Sequence, residues 1–511
     1  MGSKTANLAT LIIFGQVASI LFAGVAFIIV ARILGPVTYG VYTLAIAVSA
    51  LFGAVGDFGV GTAFNKFVSE YGAKGKNTEI KHVISDGLAM VAIMGLIFAI
   101  VTFSLSNFLA ATIMHNQSYS YIIWVVSLVV FFSLIYTPSY YVLIGFGKGF
   151  YVAIIMSVQT LIQAVTAILL ALYGFGALAP IIGIIVGYLI GIMLSFYFIF
   201  LKLKVKACMP SFSRMKKLLK FTLPLAISNV LGAVANNFSL MFLGAIASMA
   251  VLGYIGVATR TISLLSVLTG SIGVSIMPAF SSTITTRMKH HIGRIYNYSI
   301  YITFLLMTPI VFFIILLAKP FIITVFGGTY GGAALFTSML SIGILISMLG
   351  SYTSTLLVSA SKVRRVLKYS ALIVVMEFLL IPVFVVPFKG FGFILLFYII
   401  APIISDILYI RAANSLLNVK IKLKKLSYII VAGAISAIFL IPLILIFGQD
   451  YIPLLSASFV EQVLVYPAVV SILGVAKRKD LENLSELTAK VPIMGKIIEM
   501  LTRYSLMFSR N

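Results

Sequence analysis

Charged residues are scarce in this sequence. They make up 9% of its 511 residues, and only 12 residues are Asp or Glu. A soluble domain carries about 25% charged residues, whereas hydrophobic residues reach 61% here. So little polar surface excludes a water-soluble particle of this size, because most of the surface must then face lipid. We therefore predict an integral membrane protein.

Other features are equally sparse. The single cysteine, Cys208, excludes a framework of intrachain disulfides. The four histidines have no metal-ligand spacing, so we predict no metal site and no cofactor. No P-loop motif is present, which argues against direct use of ATP. The net charge of +24 sits in short segments between apolar runs, so we expect no nucleic-acid partner.

Apolar segments recur along almost the whole chain, and each is long enough to cross roughly 30 Å of hydrocarbon as a helix. They cover 7–31, 37–63, 83–106, 119–143, 150–173, 177–201, 221–246, 251–277, 296–318, 333–360, 369–387, 391–410, 427–448 and 452–475. Open strands would leave backbone groups unpaired in lipid. The predicted fold class is therefore an all-α membrane protein with about 14 transmembrane helices.

The distribution of Lys and Arg predicts the orientation. With the N-terminus inside, 32 of the 36 basic residues fall in inside segments, and only Arg32, Lys319 and Lys389 fall in outside loops. The positive-inside rule then places both termini in the cytoplasm of a multi-pass plasma-membrane protein. The tail, 476–511, has apolar residues at helical spacing and is either an amphipathic helix on the inner leaflet or a solvated helix.

Weak similarities at one offset indicate an internal repeat. Gly145-Phe146-Gly147-Lys148 lies 214 residues before Ser359-Ala360-Ser361-Lys362, and Tyr39-Gly40 lies 213 before Leu252-Gly253. An even number of helices per half gives a parallel repeat, the arrangement of transporters that rock two bundles around a central site. We predict an N-lobe at 1–206 (helices 1–6), a C-lobe at 207–420 (helices 7–12), two extra helices at 421–475 and a cytoplasmic tail at 476–511. The alternative is a mere echo of hydrophobic composition.

One stretch resembles a family signature. Ala31-Arg32-Ile33-Leu34-Gly35-Pro36-Val37-Thr38-Tyr39-Gly40 is similar to the turn between the first two helices of polysaccharide and oligosaccharide flippases. Their superfamily also includes lipid II flippases and multidrug-and-toxin extruders. Met277-Pro278-Ala279-Phe280 and Phe326-Gly327-Gly328-Thr329-Tyr330 are weaker similarities to the same family.

This resemblance implies a flippase that moves a polyprenyl- or dolichyl-phosphate-linked oligosaccharide by alternating access, for polysaccharide or glycoprotein biosynthesis. Its partners would be the lipid-linked saccharide, membrane lipids, and glycosyltransferases or a polymerase of the same pathway. The alternative within the superfamily is a cation-coupled multidrug exporter. A membrane glycosyltransferase or ligase is a weaker alternative, because the outer loops are short and only Asp450 and Glu461 lie in or near them. We therefore expect no enzymatic activity.

Two arginines are the candidate phosphate ligands. Arg260 lies inside the eighth predicted span, where an arginine is costly unless it faces a cavity or a partner. A guanidinium binds phosphate in bidentate fashion, and the resemblance implies a cavity arginine on this helix. The alternatives are an ion pair with Glu377 or a snorkelling side chain. Arg32 is either a second phosphate ligand at the cavity mouth or an interfacial anchor.

Polar residues inside the spans complete the candidate site. Glu377 lies near the middle of the eleventh span and needs a proton, a partner or a cation. The resemblance implies a sodium site on the seventh, eleventh and twelfth helices, so we assign Glu377 and Asn237 to coupling with Na⁺ or H⁺. We interpret Asp57, Asp86 and Asp406 as solvated or paired with loop lysines. Sugar hydroxyls could be bound by a further polar group, with helix–helix contacts as the alternative: Asn229, Asn236, Thr259 and Ser263.

Overall fold

The computed structural model describes residues 2–285 and 289–475, which include no strand. Their side chains are described except in 2–14, 224–229, 231–232, 235–236, 267–279, 281–285 and 289–291. The predicted tail at 476–511 lies outside the described residues. The chain divides into two compact units, Met1–Gly256 and Val257–Asn511. The all-α membrane fold is confirmed.

Unit 1 is built from helices that follow one another through short turns. They are α1 (Gly2–Gly56), α2 (Val60–Ala73), α3 (Asn77–Ser104), α4 (Ser106–Ile113), α5 (Ser120–Gly145), α6 (Gly149–Leu172), α7 (Leu178–Phe196), α8 (Phe212–Ala233), α9 (Ser239–Gly244) and the start of α10 (Met249–Thr285). Helix α7 continues as a π-helical segment, Tyr197–Lys202, and a second π-helical segment, Val234–Phe238, joins α8 to α9.

Unit 2 holds the remaining helices. They are the rest of α10, then α11 (Lys289–Phe326), α12 (Ala333–Ser359), α13 (Val363–Ile394), α14 (Ala401–Leu417), α15 (Leu423–Ile438), α16 (Leu440–Phe447) and α17 (Tyr451–Ile472). A π-helical segment, Leu395–Ile400, joins α13 to α14.

Within residues 2–285 and 289–475, eleven helical stretches are long and apolar enough to cross a membrane. Two of them contain a break with positive φ, at Gly35 (φ 70°) in α1 and at Lys389 (φ 48°) in α13. Each of these two stretches accounts for two predicted spans, so the eleven correspond to thirteen of the fourteen predicted. The remaining span, 221–246, falls on α8 to α9. At Gly35, ψ is 169°, a combination with positive φ that is essentially restricted to glycine.

The repeat is visible in a pair of turns. Lys148 N–H donates to the Leu143 carbonyl at 2.9 Å, and Lys362 N–H donates to the Leu357 carbonyl at 2.9 Å, 214 residues later. The residue before each lysine is left-handed, with φ of 69° at Gly147 and 59° at Ser361. Both turns therefore end their helix with the same Schellman-type cap. These shared caps agree with the offset of the predicted repeat, whereas its parallel arrangement and the predicted lobe boundaries stay predictions.

Three glycines allow α1 and the start of α10 to touch through their backbones. A Cβ at Gly40 would overlap the carbonyl of Met249, and a Cβ at Gly253 would overlap the carbonyl of Pro36. Gly256 faces Thr43 in the same crossing. Small residues permit this close approach in membranes, where packing rather than the hydrophobic effect holds helices together. Gly40 and Gly253, which correspond in the predicted repeat, thus lie in the same helix–helix contact.

The segment between α7 and α8 is fastened to α3. Asp86 is 2% exposed, and it accepts two hydrogen bonds from Arg214, from Nε at 2.6 Å and from Nη2 at 3.0 Å. The backbone N–H of Ser211 donates to the same carboxylate at 2.8 Å, and that of Cys208 donates to Ser85 Oγ at 3.0 Å. The sequence-based interpretation of Asp86 as solvated or paired with a loop lysine is therefore wrong, because its partner is an arginine and the carboxylate is buried.

Alanine at Gly40 or Gly253 should destabilise the protein by about 1–3 kcal/mol or more, because a methyl group would push two backbones apart. Thermal unfolding in detergent, followed by the loss of monodisperse protein, would measure the effect. Gly24→Ala is the matched control, since nothing lies within 4 Å of its added Cβ and alanine is the better helix former. Equal melting temperatures for all three variants would contradict the backbone contact.

Removing Arg214 should destabilise the protein more than neutralising Asp86. Arg214→Ala leaves a buried carboxylate with one backbone donor, whereas Asp86→Asn keeps an oxygen that can accept from both donors. Thermal unfolding of the two single variants and the double variant would give the coupling between the residues. Lys217→Ala, an exposed change on the same helix, is the control. Strictly additive effects would show that the pair does not act as a unit.

Candidate functional site

Arg260 and Ser263 lie on an exposed face of α10. Both residues are exposed, and the Ser263 hydroxyl donates to the Arg260 carbonyl at 2.7 Å. The opposite face of the helix is buried through Leu252, Ile255 and Ile262. In the part of the chain that the structure describes, the ion pairs are Lys74–Glu70 and Arg214–Asp86. The alternative of an ion pair between Arg260 and Glu377 is therefore not what the structure shows.

The other predicted polar ligands are dispersed along the chain. Arg32 is exposed one turn before the break at Gly35, and Thr259 is half-buried beside Arg260. Asn237 lies in the π-helical segment after α8, where its Nδ2 donates to the Ala233 carbonyl at 3.1 Å. The side chains of Asn229 and Asn236 lie outside the described residues. The roles assigned to these residues stay predictions.

Glu377 and Asp406 line one cavity of about 260 Å³ inside unit 2. Glu377 is 7% exposed, and its Oε2 is buried without a hydrogen-bond partner among the described residues. Asp406 is 5% exposed, and its carboxylate is hydrogen-bonded by the backbone of Gly350, where a Cβ would overlap Oδ1. The interpretation of Asp406 as solvated or paired with a loop lysine is therefore wrong.

Hydroxyl groups supply the rest of the cavity's polar lining. Ser347 donates to the Ile344 carbonyl at 3.1 Å and Ser354 donates to the Ser351 carbonyl at 2.9 Å, so each keeps free lone pairs on its oxygen. Ser351, Ser405 and Tyr409 also line the cavity. Carboxylate and hydroxyl oxygens bind hard cations such as Na⁺. A carboxylate inside a membrane protein can also take up a proton. The described residues hold no cluster of three or more His, Cys, Asp or Glu suited to a metal ion.

A cavity of about 270 Å³ occupies a related place in unit 1. It is lined by Ser133 and Thr137, which the 214-residue offset carries onto Ser347 and Ser351 of the unit 2 cavity. Asp57 also lines it and accepts a hydrogen bond from the Gly59 N–H at 3.0 Å. Asp57 is therefore half-buried at a cavity and has no lysine partner among the described residues, whereas its solvation stays a prediction.

The two units differ in charge at the position of Glu377. The same offset carries Gln163 onto Glu377, and Gln163 belongs to a neutral network in unit 1. There the Tyr136 hydroxyl donates to Gln159 Oε1 at 3.3 Å, and Gln159 Nε2 donates to Gln163 Oε1 at 2.7 Å. In unit 1 these two amides hydrogen-bond each other, whereas in unit 2 Oε2 of Glu377 has no partner among the described residues. Corresponding positions of the repeat therefore belong to a structural polar network in unit 1 and to a candidate ion site in unit 2.

Solved structures of transporters share this fold. The structure of the lipid II flippase MurJ in an inward closed conformation superimposes with a TM-score of 0.72 and 17% identity, covering 91% of this chain and 98% of that one. An inward-facing multidrug resistance MATE-family transporter of the MOP superfamily gives 0.68 and 16%, covering 80% and 98%. A MOP-superfamily transporter from Pyrococcus furiosus, described as having a binding pocket of reverse polarity, gives 0.57 and 16%, covering 81% and 95%.

Sequence comparison identifies the family. A search of curated protein sequences gave no significant match. The model of the family described as polysaccharide biosynthesis protein matches residues 6–284, which include the Arg32–Gly40 signature and Arg260. This match spans more than half of the chain. The protein belongs to the polysaccharide biosynthesis protein family.

Proposed function

We propose that this protein moves a lipid-linked saccharide across the membrane. The head group, a phosphorylated saccharide, passes through the protein while its polyprenyl or dolichyl chain stays in the hydrocarbon. Family membership supports a substrate from polysaccharide or glycoprotein biosynthesis, and the fold is shared with a lipid II flippase. Unaided crossing is slow, since a phosphate and many hydroxyls must lose their water. As the family consists of biosynthesis proteins with a transporter fold, we assign the chain no enzymatic activity of its own.

Arg260 is the observation that carries this proposal. A charge at the centre of a transmembrane helix costs about 2.5–3.5 kcal/mol on insertion scales, so it is retained where it has a function. Arg260 is exposed on α10 and forms no ion pair with any described carboxylate. Its guanidinium offers the fork of donors that matches a phosphate or diphosphate group. Arg32 is proposed as a second phosphate ligand, and Asn229, Asn236, Thr259 and Ser263 as ligands for saccharide hydroxyls.

Transport would proceed by alternating access. In such a cycle the binding site opens to one side of the membrane at a time. The backbone contact of Gly40 and Gly253 lies near one end of two membrane-crossing helices, the end that the basic residues place outside. We propose that this contact closes the outer side while the substrate enters from the cytoplasm. The N- and C-termini then lie in the cytoplasm, and the protein resides in the plasma membrane.

We propose that Glu377 and Asp406 couple transport to a cation, Na⁺ or H⁺. Two buried carboxylates in one 260 Å³ cavity repel each other unless a cation or a proton lies between or on them. Asn237, assigned to the same coupling from the sequence, belongs to unit 1 and is not part of that cavity lining. Glycosyltransferases or a polymerase of the same pathway are the proposed protein partners, because they make and consume the lipid-linked saccharide.

A second candidate function is the export of cationic drugs coupled to a cation. The acid-lined cavity in unit 2 and the likeness to a multidrug resistance transporter favour it. An exporter of cationic drugs needs carboxylates at its substrate site, and an arginine such as Arg260 would contribute nothing to binding a cation. The two functions therefore differ in which charged residue is required for substrate recognition.

Arg260→Ala should lower flipping by about 10- to 100-fold, the loss of one or two charge-assisted hydrogen bonds. The assay would follow a fluorescent polyprenyl-diphosphate-linked N-acetylglucosamine in proteoliposomes, with chemical quenching of the outer leaflet. Arg260→Lys keeps the charge but loses bidentate binding, so an intermediate rate is expected. Lys319→Ala is the control.

A full flipping rate in Arg260→Ala would refute the role of this residue. Loss of drug resistance in cells carrying Glu377→Gln, with neither drug resistance nor lipid-linked saccharide changed by Arg260→Ala, would favour the drug exporter instead.

Glu377→Gln and Asp406→Asn should each abolish the dependence of flipping on a sodium or proton gradient. The amides keep the shape of the side chains but lose the charge that a cation binds. Rates would be measured with imposed gradients of Na⁺ and of pH in separate experiments. Glu70→Gln, which neutralises an exposed acid, should leave the gradient dependence unchanged. An unaltered dependence in both cavity variants would place the coupling site elsewhere.

A further inference from the structure

Each unit has a lysine-rich connection next to the end of a membrane-crossing stretch. The unit 1 basic segment, residues 202–220, contains six lysines and one arginine, and the unit 2 basic segment, residues 418–428, contains four lysines. Neither segment contains an acidic residue. All ten lysines are exposed, and in the described part of the chain none of them forms an ion pair. Each segment is therefore a cationic surface whose charge the described residues leave unbalanced.

The two segments turn in the same way at the 214-residue offset of the repeat. Lys204 and Asn418 are both left-handed, with φ of 53° and 54°. This conformation is uncommon for residues other than glycine, so its recurrence at corresponding positions marks a repeated turn. The turns follow stretches that are long and apolar enough to cross a membrane, Leu178–Lys202 in unit 1 and Val363–Leu417 in unit 2. The lysines therefore begin at the boundary between hydrocarbon and water.

Corresponding backbone donors fasten both segments. Cys208 N–H donates to Ser85 Oγ at 3.0 Å in unit 1, and Lys422 N–H donates to Asn297 Oδ1 at 2.8 Å in unit 2. The acceptors lie on α3 and α11, two helices that correspond at the same offset. In unit 1 the carboxylate of Asp86 adds a second attachment. Each basic segment is therefore held against the helices of its own unit.

Large apolar side chains project from the same segments. Met209 is 90% exposed and Phe212 is 82% exposed, and both lie outside the membrane-crossing stretches of the described residues. In unit 2, Leu423 and Tyr428 are also exposed. Exposure of such side chains to water is unfavourable. Apolar side chains beside lysines are typical of a segment that lies in the membrane interface, with its apolar groups in the acyl boundary and its charges among the head groups.

Charge and position together select the ligand. An acidic protein would balance the lysines, but it would have to displace the lipid head groups to reach segments that begin where membrane-crossing helices end. A neutral phospholipid would cover Met209 and Phe212 but would leave the lysines without a counter-charge. An anionic phospholipid supplies a negative head group for the lysines and acyl chains for the apolar side chains at the same depth.

We propose that the two basic segments bind the head groups of anionic phospholipids, with Met209 and Phe212 inserted at the acyl boundary below them. The excess of basic residues places this surface on the inner leaflet. Clusters of about four to eight basic residues directly beside a transmembrane helix bind anionic lipid, because each residue near the surface adds to the attraction. The ligand is a bilayer lipid and not the transported molecule, so the inference is independent of the proposed function.

The single tryptophan of the chain, Trp124, makes a site-specific test possible. Trp124→Phe/Phe212→Trp and Trp124→Phe/Tyr428→Trp would each carry one indole, in the unit 1 or the unit 2 basic segment. The full-length variants would be reconstituted in vesicles that contain phosphatidylglycerol or phosphatidylcholine with brominated acyl chains at equal mole fractions. Bromine quenches indole fluorescence on contact, so the ratio of quenching gives the relative affinity of the two lipids at each segment.

We expect both reporter variants to prefer phosphatidylglycerol by about fivefold or more, the effect of at least one lysine near the lipid phosphate. The wild type is the control, because its Trp124 is 44% exposed at the start of α5, on the predicted outer side, and should show a ratio near one. Raising the salt concentration from about 0.1 M to about 1 M should weaken the preference through screening.

Charge variants connect the preference to the lysines. Lys204→Gln/Lys216→Gln/Lys217→Gln, added to the Phe212→Trp reporter, should bring the ratio close to one. All three lysines are exposed, so the fold should tolerate these changes. Lys319→Gln, which removes an exposed lysine on the predicted outer side, is the matched control and should leave the ratio unchanged.

Three results would overturn the proposal. Equal quenching by the two lipids in the Phe212→Trp reporter would show that the segment does not select a head group. A lack of quenching by either lipid would place the segment away from the bilayer, as expected for a surface that binds an acidic protein. A preference that persists in the triple lysine variant would show that the lysines do not recognise the lipid.

Discussion

The approach of two backbones at Gly40 and Gly253 is the constraint on which the rest of unit 1 depends. In lipid, helices gain nothing from burying apolar side chains against each other, so van der Waals contact and weak hydrogen bonds must hold them together. Glycine supplies that contact by letting the carbonyls of Pro36 and Met249 lie against Cα atoms. The break at Gly35 directs the chain into this crossing, because its combination of φ and ψ is not available to other residues. The family signature thus encodes a turn and a contact, both built from glycine.

The two units share local features at corresponding positions but differ in charge at one buried position. The caps at Lys148 and Lys362 have the same hydrogen bond at 2.9 Å. Each unit also has a hydroxyl-lined cavity, in which Ser133 and Thr137 of unit 1 lie at the offset positions of Ser347 and Ser351 of unit 2. At the position where unit 1 has Gln163, unit 2 has Glu377. An amide can be satisfied by a neighbouring amide, whereas a buried acid needs a proton or a cation. One difference in a shared frame therefore places a buried acid where the other unit has a neutral amide.

The sequence predicted the features that depend on local or average properties. Hydropathy over about twenty residues identified the crossing helices, and the left-handed turns at Gly147 and Ser361 were predicted as corresponding positions because short turns depend on a few adjacent residues. Asp406 was misassigned because its burial depends on Gly350, which is more than fifty residues away and leaves room for the carboxylate. The pairing of Asp86 with Arg214 was missed for the same reason, since it joins residues 128 positions apart. Glu461 was placed within the right span but described as lying in or near the outer loops, although ten and eleven residues separate it from the two ends of α17.

Three acidic residues, Asp86, Glu377 and Glu461, differ in their surroundings. Asp86 is buried near the end of its helix and is fully paired with an arginine and a backbone donor, which fastens the connection between α7 and α8. Glu377 is buried in a cavity that a second acid, Asp406, also lines, and this cavity is the proposed site of the coupling cation. Glu461 lines an apolar groove, and its carboxylate oxygens have no hydrogen-bond partner among the described residues. The size and polarity of the space around each carboxylate, rather than the carboxylate itself, therefore distinguish the acid that is paired within the chain from the acids that the described residues leave unpaired.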